Sequence, residues 1–345
     1  MTLPIGQMFL VGFEGCSLDH SSWLTEALKQ GIPGGVILFD CNIDGSVQNF
    51  SSPSQLLELT RQLQELAQDV LLIAVDQEGG KVCRLKERAG FPATLSAEEL
   101  GKKDTGEIRA LAAEMAATLS QYGINLNLAP VADLNLNPAN PIIARYGRSF
   151  SSSAQQVTSH CLAFIQAHHQ HGIACCLKHF PGHGSASGDT HLGFVDITHD
   201  WQEEELEPYR LLLNAGYADA VMTAHVMHYG LDSTGLPASL SPPINNLLRQ
   251  QLGFKGVIIT DDLQMKAISN RYGYRQAVQQ AVLAGADLLI VGNNLVRSPN
   301  ALAEGIAAIQ ELLEQGLIEE AQVQASLGRI ATLKQKHHLK GEQTW

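Results

Sequence analysis

Eight short apolar runs recur along the chain at fairly even intervals: MFLVGF (8–13), GGVILF (34–39), LLIAVD (71–76), INLNLAPV (124–131), IACCLKHF (173–180), AVMTAHV (220–226), GVIITDD (256–262) and ADLLIVG (286–292). Each has the length of a strand, and several are apolar almost throughout, as parallel strands are when helices cover one side and a barrel interior the other. Between them, 105–121, 154–171, 203–215, 243–252 and 274–284 place apolar residues at helical spacing beside polar faces. Gly123, Gly172, Gly216 and Gly285 each stand just ahead of the next apolar run, where a left-handed cap ends a helix. After the eighth run, 299–314 and 319–337 read as two closing helices, and 337–345 as a fraying end.

This alternation predicts an α/β fold, and the polar residues favour a (β/α)8 TIM-type barrel over an open doubly wound sheet. Asp76, Asp133, Lys178, His179, His225 and Asp261 each fall at or just past the C-terminal end of a run, and a barrel gathers those ends into one mouth. The 345 residues suit one such unit, since barrels commonly use about 250 residues or more. No internal repeat, low-complexity tract or Pro/Ser-rich linker divides the chain, so residues 1–345 read as a single domain in which 135–153 is a long polar loop.

Composition narrows the function classes. The chain is 45% hydrophobic and 17% charged, which is globular, and its formal charge of −12 argues against a nucleic-acid partner. No apolar stretch nears the roughly 20 residues that span a bilayer, so no membrane association is expected. The opening MTLPIGQMFLVGFEG has neither a preceding basic residue nor a following small-residue cleavage site, and reads as the first core element rather than a leader. Cys16, Cys41, Cys83, Cys161, Cys175 and Cys176 show no CxxC spacing and read as reduced thiols, which points to a cytoplasmic protein. Nothing in the sequence specifies an oligomeric state.

The densest chemistry lies in CLKHFPGHGSASGDTHLGF (176–194). Lys178 and His179 close an apolar strand, and Asp189 stands two residues before His191, close enough to orient its imidazole as a general acid/base needs. His179 and His183 are four apart, but Pro181 and Gly182 between them break the helical geometry that would make them a metal pair; no early strand ends in HxH, and no catalytic metal is expected. VIITDDLQM (257–265) places Asp261 and Asp262 at a strand end, where alternation lets one face the mouth and leaves the other to cap a helix or brace the barrel. In IAVDQEGGKVCRL (73–85), Asp76 precedes glycines that let a ligand approach the backbone. His225 ends a strand where it can line the site; His228 reads as structural or exposed, and the histidines of HHQHG (168–172) as solvated at a helix end. Met222, Met227 and Met265 read as packing residues, with Met265 also in position to line the site.

With these residues in view, the chain resembles the bacterial β-N-acetylglucosaminidase branch of glycoside hydrolase family 3. VDQEGGKVCRL, NLAPVADL, YGRSFSS, KHFPGHGSASGDTH, MTAHV and GFKGVIITDDLQM carry the resemblance, in the family's order and over nearly the whole chain. It implies a (β/α)8-type barrel, with Asp261 as the nucleophile of a retaining double displacement and His191, held by Asp189, as the acid and then the base. Asp76, Arg148, Lys178 and His179 match positions that bind hydroxyls of the terminal sugar; Arg145, three residues before Arg148, competes for that role. Many relatives add a second α/β domain after the barrel, for which residues 299–345 are too few.

The implied function is exo-hydrolysis of terminal N-acetylglucosamine from cell-wall fragments or chitin oligosaccharides, a small carbohydrate substrate, with no cofactor. A phosphorylase of the same fold is the nearest rival, because a histidine does not repel phosphate as a carboxylate would. A β-glucosidase is the next, and a non-catalytic sugar-binding protein is the alternative from another class.

Overall fold

The computed structural model describes residues 3–18 and 22–337, so the end expected to fray lies, beyond His337, outside the described residues. Eight strands form the barrel wall: β1 (Phe9–Val11), β2 (Gly35–Ile37), β3 (Leu72–Val75), β4 (Leu126–Asn127), β5 (Ala174–Phe180), β6 (Ala220–Thr223), β7 (Val257–Thr260) and β8 (Leu289–Val291). They pair in parallel in the order β8-β1-β2-β3-β4-β5-β6-β7. A bridge between Ile259 and Leu288 closes the ring, reinforced by Thr260 N donating to Leu288 O at 3.0 Å and Ile290 N to the Thr260 hydroxyl at 3.1 Å. Every residue of these eight strands is buried, which is why the runs lack hydrophobic–polar alternation.

The strands are shorter than the apolar runs that announced them. Pairing of the 124–131 run is regular only over Leu126–Asn127, because Pro130 has no N–H for the ladder; the chain rejoins β5 through a bridge between Val131 and Lys178. The polar Asn125 and Asn127 fit this run because their amides bond β3 and the turn after it: Asn125 Oδ1 accepts from Ile73 N at 2.7 Å, and Asn127 Oδ1 from Gln77 N at 3.1 Å.

The helices match the expected segments closely. Thr105–Gln121 opens on a capping box in which Asp104 accepts from Glu107 N and the Glu107 carboxylate accepts from Asp104 N. Ala154–Gln170 packs against it and against Glu207–Asn214. The segment expected at 243–252 divides into an α-turn, Pro242–Asn246, and a π-turn, Leu247–Gln251, and the Glu207 helix is preceded by a 3-10 turn, Glu203–Leu206. The four pre-strand glycines all adopt positive φ, at 69°, 73°, 90° and 94° in chain order. Ser22–Lys29, Pro53–Leu66 and Tyr274–Leu283 complete the outer ring, and the closing helices are Ala301–Glu314 and Glu320–Lys336, both packed on the Ile5–Met8 turn.

Above the C-terminal rim, Val195–Asp196 pairs in parallel with Val226–Met227, and Ala186, Val195, Ile197, Ala224 and Val226 form a small apolar cluster of their own. This second core props up the loop after β5. All six cysteines are free thiols, and no helix among the described residues is long and apolar enough to cross a membrane.

Candidate active site

The strand ends surround a cavity of about 470 Å³, within the size range of small-molecule sites. A much smaller cavity of about 60 Å³, lined mainly by apolar residues such as Leu95, Met115 and Phe164, lies away from the strand-end carboxylates.

The floor of the large cavity is a chain of alternating charges. Just past β3, Asp76 accepts from Lys178 Nζ and Arg84 Nη2, both at 2.9 Å. Lys178 also contacts Glu78 at 2.7 Å, and Glu78 takes a bidentate pair from Arg148, Nε at 2.8 Å and Nη2 at 2.7 Å. Arg148 Nη2 then reaches His179 Nε2 at 3.2 Å, while His179 Nδ1 faces Asp133 at 2.7 Å. Because an arginine only donates, His179 Nε2 is the acceptor and its proton sits on Nδ1, toward Asp133. Burial alone would raise Asp76, but Lys178 and Arg84 outweigh it and hold that carboxyl well below its ordinary range. Burial likewise opposes ionisation of Glu78, and Arg148 with Lys178 outweighs it, bringing its pKa to about 2. Lys178 is only 2% exposed and Glu78 only 5%, so the network presents fixed charges in a dry floor.

Lys178 and His179 both border the cavity although they are adjacent in a strand. The pairing register of β5 against β6 shifts between Leu177 and Phe180, and this irregularity suspends the usual alternation. Arg148 is buried on the cavity wall, whereas Arg145 is exposed and lies over the Tyr146 ring at 5.8 Å, so Arg148 is the guanidinium that faces the site.

Past β7, Asp261 and Asp262 both border the cavity, and the Asp262 carboxylate also braces the barrel, the role expected for one of the pair. Paired structure ends at Thr260, and in the turn beyond it alternation no longer applies. Asp261 Oδ1 accepts from Asp262 N at 2.8 Å. Burial pushes Asp261 up, but the polar surroundings formed by His225, His179 and His191, together with the Asp262 N–H, outweigh it and leave the carboxyl below its ordinary range. Asp262 differs: burial dominates and raises it to about 7, although its carboxylate braces β7 to β8 by accepting from Gln264 N at 3.0 Å and Gly292 N at 3.2 Å.

The opposite wall is the loop after β5. His191 Nδ1 contacts Asp189 at 2.8 Å, leaving Nε2 as the nitrogen available to a substrate; its side chain is 55% exposed. The root of the loop is pinned. Glu205 accepts from Gly184 N at 2.8 Å and from the Ser185 hydroxyl, Asn140 Nδ2 donates to His183 O at 2.8 Å, and Trp201 Nε1 donates to Pro181 O at 3.1 Å. At Gly184 a Cβ would stand 1.6 Å from Leu134 O, so no other residue fits. Burial raises Glu205 to about 7 despite these donors. His183 is 2% exposed and borders the cavity with neither ring nitrogen partnered among the described residues; burial lowers its pKa to about 4, so near neutral pH it faces the cavity as a neutral imidazole.

Of the residues singled out in the sequence, Asp76, Arg148, Lys178, His179, Asp189, His191, Asp261 and Met265 all border this one cavity. His225 does not. It lies behind the strand end, with Nε2 donating to the Asp262 carbonyl at 2.9 Å and Nδ1 accepting from the Ser239 hydroxyl at 2.7 Å, so it positions the aspartates instead of meeting a sugar. The HHQHG stretch is also corrected: His168 is fully buried, its Nδ1 donating to Phe164 O at 2.9 Å and its Nε2 meeting Asn127 at 3.1 Å, because the last turn of that helix packs onto the barrel wall. Glu78, Arg84 and Glu205 were not anticipated. Glu78 sits in a glycine-rich turn and Glu205 in the acidic run EEEL, where each reads as a solvated charge.

Comparison with known proteins gives a consistent result. The chain is 38% identical over 293 residues to a beta-hexosaminidase of Tolumonas auensis, covering 83% of this chain and 82% of the relative. It is 32% identical over 338 residues to beta-hexosaminidase A of Pseudoalteromonas piscicida, covering 91% of this chain but only 55% of that longer protein. Among solved structures, a glycoside hydrolase family 3 beta-N-acetylglucosaminidase from Paenibacillus superposes with a TM-score of 0.89 at 34% identity over 99% of this chain, which spans 64% of that one. A beta-N-acetylhexosaminidase from Beutenbergia cavernae matches at 0.84 and 29% identity, covering 96% and 97% of the two chains. The family model described as the glycosyl hydrolase family 3 N-terminal domain spans residues 2–333, and the chain belongs to that family.

Proposed function

We propose that this chain is an exo-acting, retaining β-N-acetylglucosaminidase. One observation carries the reading: an ionised Asp261 and an Asp189-held His191 border the same cavity, above a buried network of hydrogen-bonding charges. The Asp76–Lys178–Glu78–Arg148–His179 floor holds the hydroxyls of one terminal sugar.

The chemistry balances in two displacements. An Asp261 carboxylate oxygen attacks the anomeric carbon, the glycosidic C–O bond breaks, and the leaving oxygen takes the Nε2 proton of His191. The now neutral His191 next accepts a proton from water, whose oxygen attacks the same carbon and expels Asp261. Two inversions give net retention. A histidine serves both roles near neutrality because its ordinary pKa of about 6.5 lies close to the working pH. Relatives named beta-hexosaminidase support the acetamido sugar as substrate. Cell-wall fragments or chitin oligosaccharides in the cytoplasm are the proposed setting, which fractionation of cells producing the full chain tests.

Release of p-nitrophenol from the β-N-acetylglucosaminide and the β-glucoside, each with and without phosphate, tests the activity, with Asp261→Asn as control. Phosphate-independent release from the acetamido sugar alone is expected. Phosphate-dependent turnover makes the protein a phosphorylase, preference for glucose makes it a β-glucosidase, and no release from either leaves a sugar-binding protein.

A further inference from the structure

Two histidine-bearing helix ends that the catalytic reading does not use meet at the opposite end of the barrel. His169 lies in the last turn of the helix Ala154–Gln170, Asp219 immediately precedes β6, and His337 caps the helix Glu320–Lys336. Asp219 therefore sits at the N-terminal end of its strand, away from the cavity. His169 Nε2 lies 2.5 Å from Asp219 Oδ2 and His337 Nε2 lies 2.9 Å from Oδ1, with the two rings 4.7 Å apart. Asp219 and His337 are buried, while the His169 side chain keeps 29% of its surface exposed and so leaves a way in.

We propose that His169 Nε2, His337 Nε2 and the Asp219 carboxylate form a mononuclear site for a borderline divalent cation of the zinc class, with water completing the coordination. The three ligand atoms already lie within 4.8 Å of one another. Tetrahedral zinc, with bonds of roughly 2.0–2.2 Å, needs its ligand atoms roughly 3.3 Å apart, which small ring rotations achieve. Two imidazoles with one carboxylate suit Zn²⁺ or Co²⁺ and not Mg²⁺ or Ca²⁺, which prefer oxygen.

The competing arrangement is a metal-free clasp. Asp219 already receives Lys336 Nζ at 2.7 Å on Oδ1 and Cys175 N at 3.2 Å on Oδ2. One buried carboxylate does not need two further imidazoles for charge compensation, whereas a metal ion does need them. Lys336 is the lysine paired with Asp219, and with 45% of its side chain exposed it can turn to solvent when an ion binds. Because the ligands come from a mid-chain helix, a strand and the last described helix, an ion here fastens the C-terminal helix to the barrel and stabilises the fold by mass action.

The test uses the untagged full chain, stripped with chelator and titrated with Zn²⁺ by calorimetry and with Co²⁺ by its visible absorption. The wild type is expected to take up one ion per chain and to unfold several degrees higher with Zn²⁺. His337→Gln should weaken binding by more than about 100-fold, since even outer-sphere changes cost about 10–100-fold, and should leave turnover of the p-nitrophenyl substrate unchanged. His169→Gln, at a side chain that is 29% exposed, provides a second variant, with circular dichroism of both variants confirming that the fold is kept. Failure of the wild type to bind stoichiometrically, or undiminished binding in both variants, overturns the proposal, the latter assigning the ion to other histidines.

Discussion

Replacing Glu78 by glutamine removes one negative charge from beneath two buried cations while preserving side-chain volume. In the native protein Glu78 takes two hydrogen bonds from Arg148, at 2.7 and 2.8 Å, and contacts Lys178 at 2.7 Å. Two routes give the magnitude. Its pKa is lowered from 4.5 to about 2, and at 1.36 kcal/mol per unit that difference stabilises the folded state by about 3 kcal/mol at neutral pH. Independently, breaking a buried ion pair by removing one partner costs about 3–5 kcal/mol. The two agree, so Glu78→Gln should lose about 3 kcal/mol in urea unfolding at pH 7. The sign comes from the depressed pKa: the contribution is complete above the unfolded value of 4.5 and fades as pH falls through the folded value of about 2. At pH 3 the penalty should therefore have shrunk to about 1 kcal/mol. A loss below about 1 kcal/mol at pH 7, or one that does not diminish in acid, would refute the assignment of Glu78 as the anion that holds Arg148 and Lys178 in place.

Three further outcomes are expected from the same geometry. His191→Ala should slow substrates with poor leaving groups by about 10²–10⁴-fold but activated aryl glycosides far less, because only the former need protonation; equal losses on both, measured by kcat/KM, would remove His191 from the acid role. Glu205 has its pKa raised to about 7 by burial, so the native protein loses stability as pH rises from 4.5 through that value, and Glu205→Gln should gain on the wild type by up to about 3 kcal/mol across this window. A stability difference that does not change with pH would show that Glu205 is already ionised below it. Gly184→Ala drives a methyl group to 1.6 Å from Leu134 O, so the chain should fold yet lose most activity through a displaced loop; full turnover with unchanged Tm would show that the loop root tolerates movement.

The barrel was legible because burial on both sides leaves a plain signature, the apolar run, and because left-handed glycines mark where four of the helices stop. The ends of strands were less so. Pro130 interrupts pairing by lacking a donor, and the β5 register shift turns both Lys178 and His179 to the cavity; neither effect appears in hydrophobic patterning. The residues proposed to react stood out because Asp261, Asp189 and His191 are polar groups next to apolar strands or in a glycine-rich loop. Their supports did not, since Glu78, Arg84 and Glu205 acquire roles only from partners 8 to 100 positions away: Glu78 meets Lys178, Arg84 meets Asp76, and Glu205 meets Gly184. His225 shows the converse, a strand-end histidine that pattern alone places in the site and that tertiary packing turns toward a backbone carbonyl behind it. His168 was misread for the same reason, since a helix end lies in solvent or against the barrel depending on packing that no local window contains.

The proposed mechanism requires a covalent bond between Asp261 and the sugar. Its most direct test is to incubate the full chain with a fluorosugar analogue of N-acetylglucosamine carrying an activated leaving group, digest it, and locate the added mass by peptide sequencing. One sugar per chain is expected, on Asp261, with none trapped by Asp261→Asn. A label on Asp262, Asp76 or Glu78, or complete turnover with no covalent species under conditions that slow deglycosylation, would contradict it.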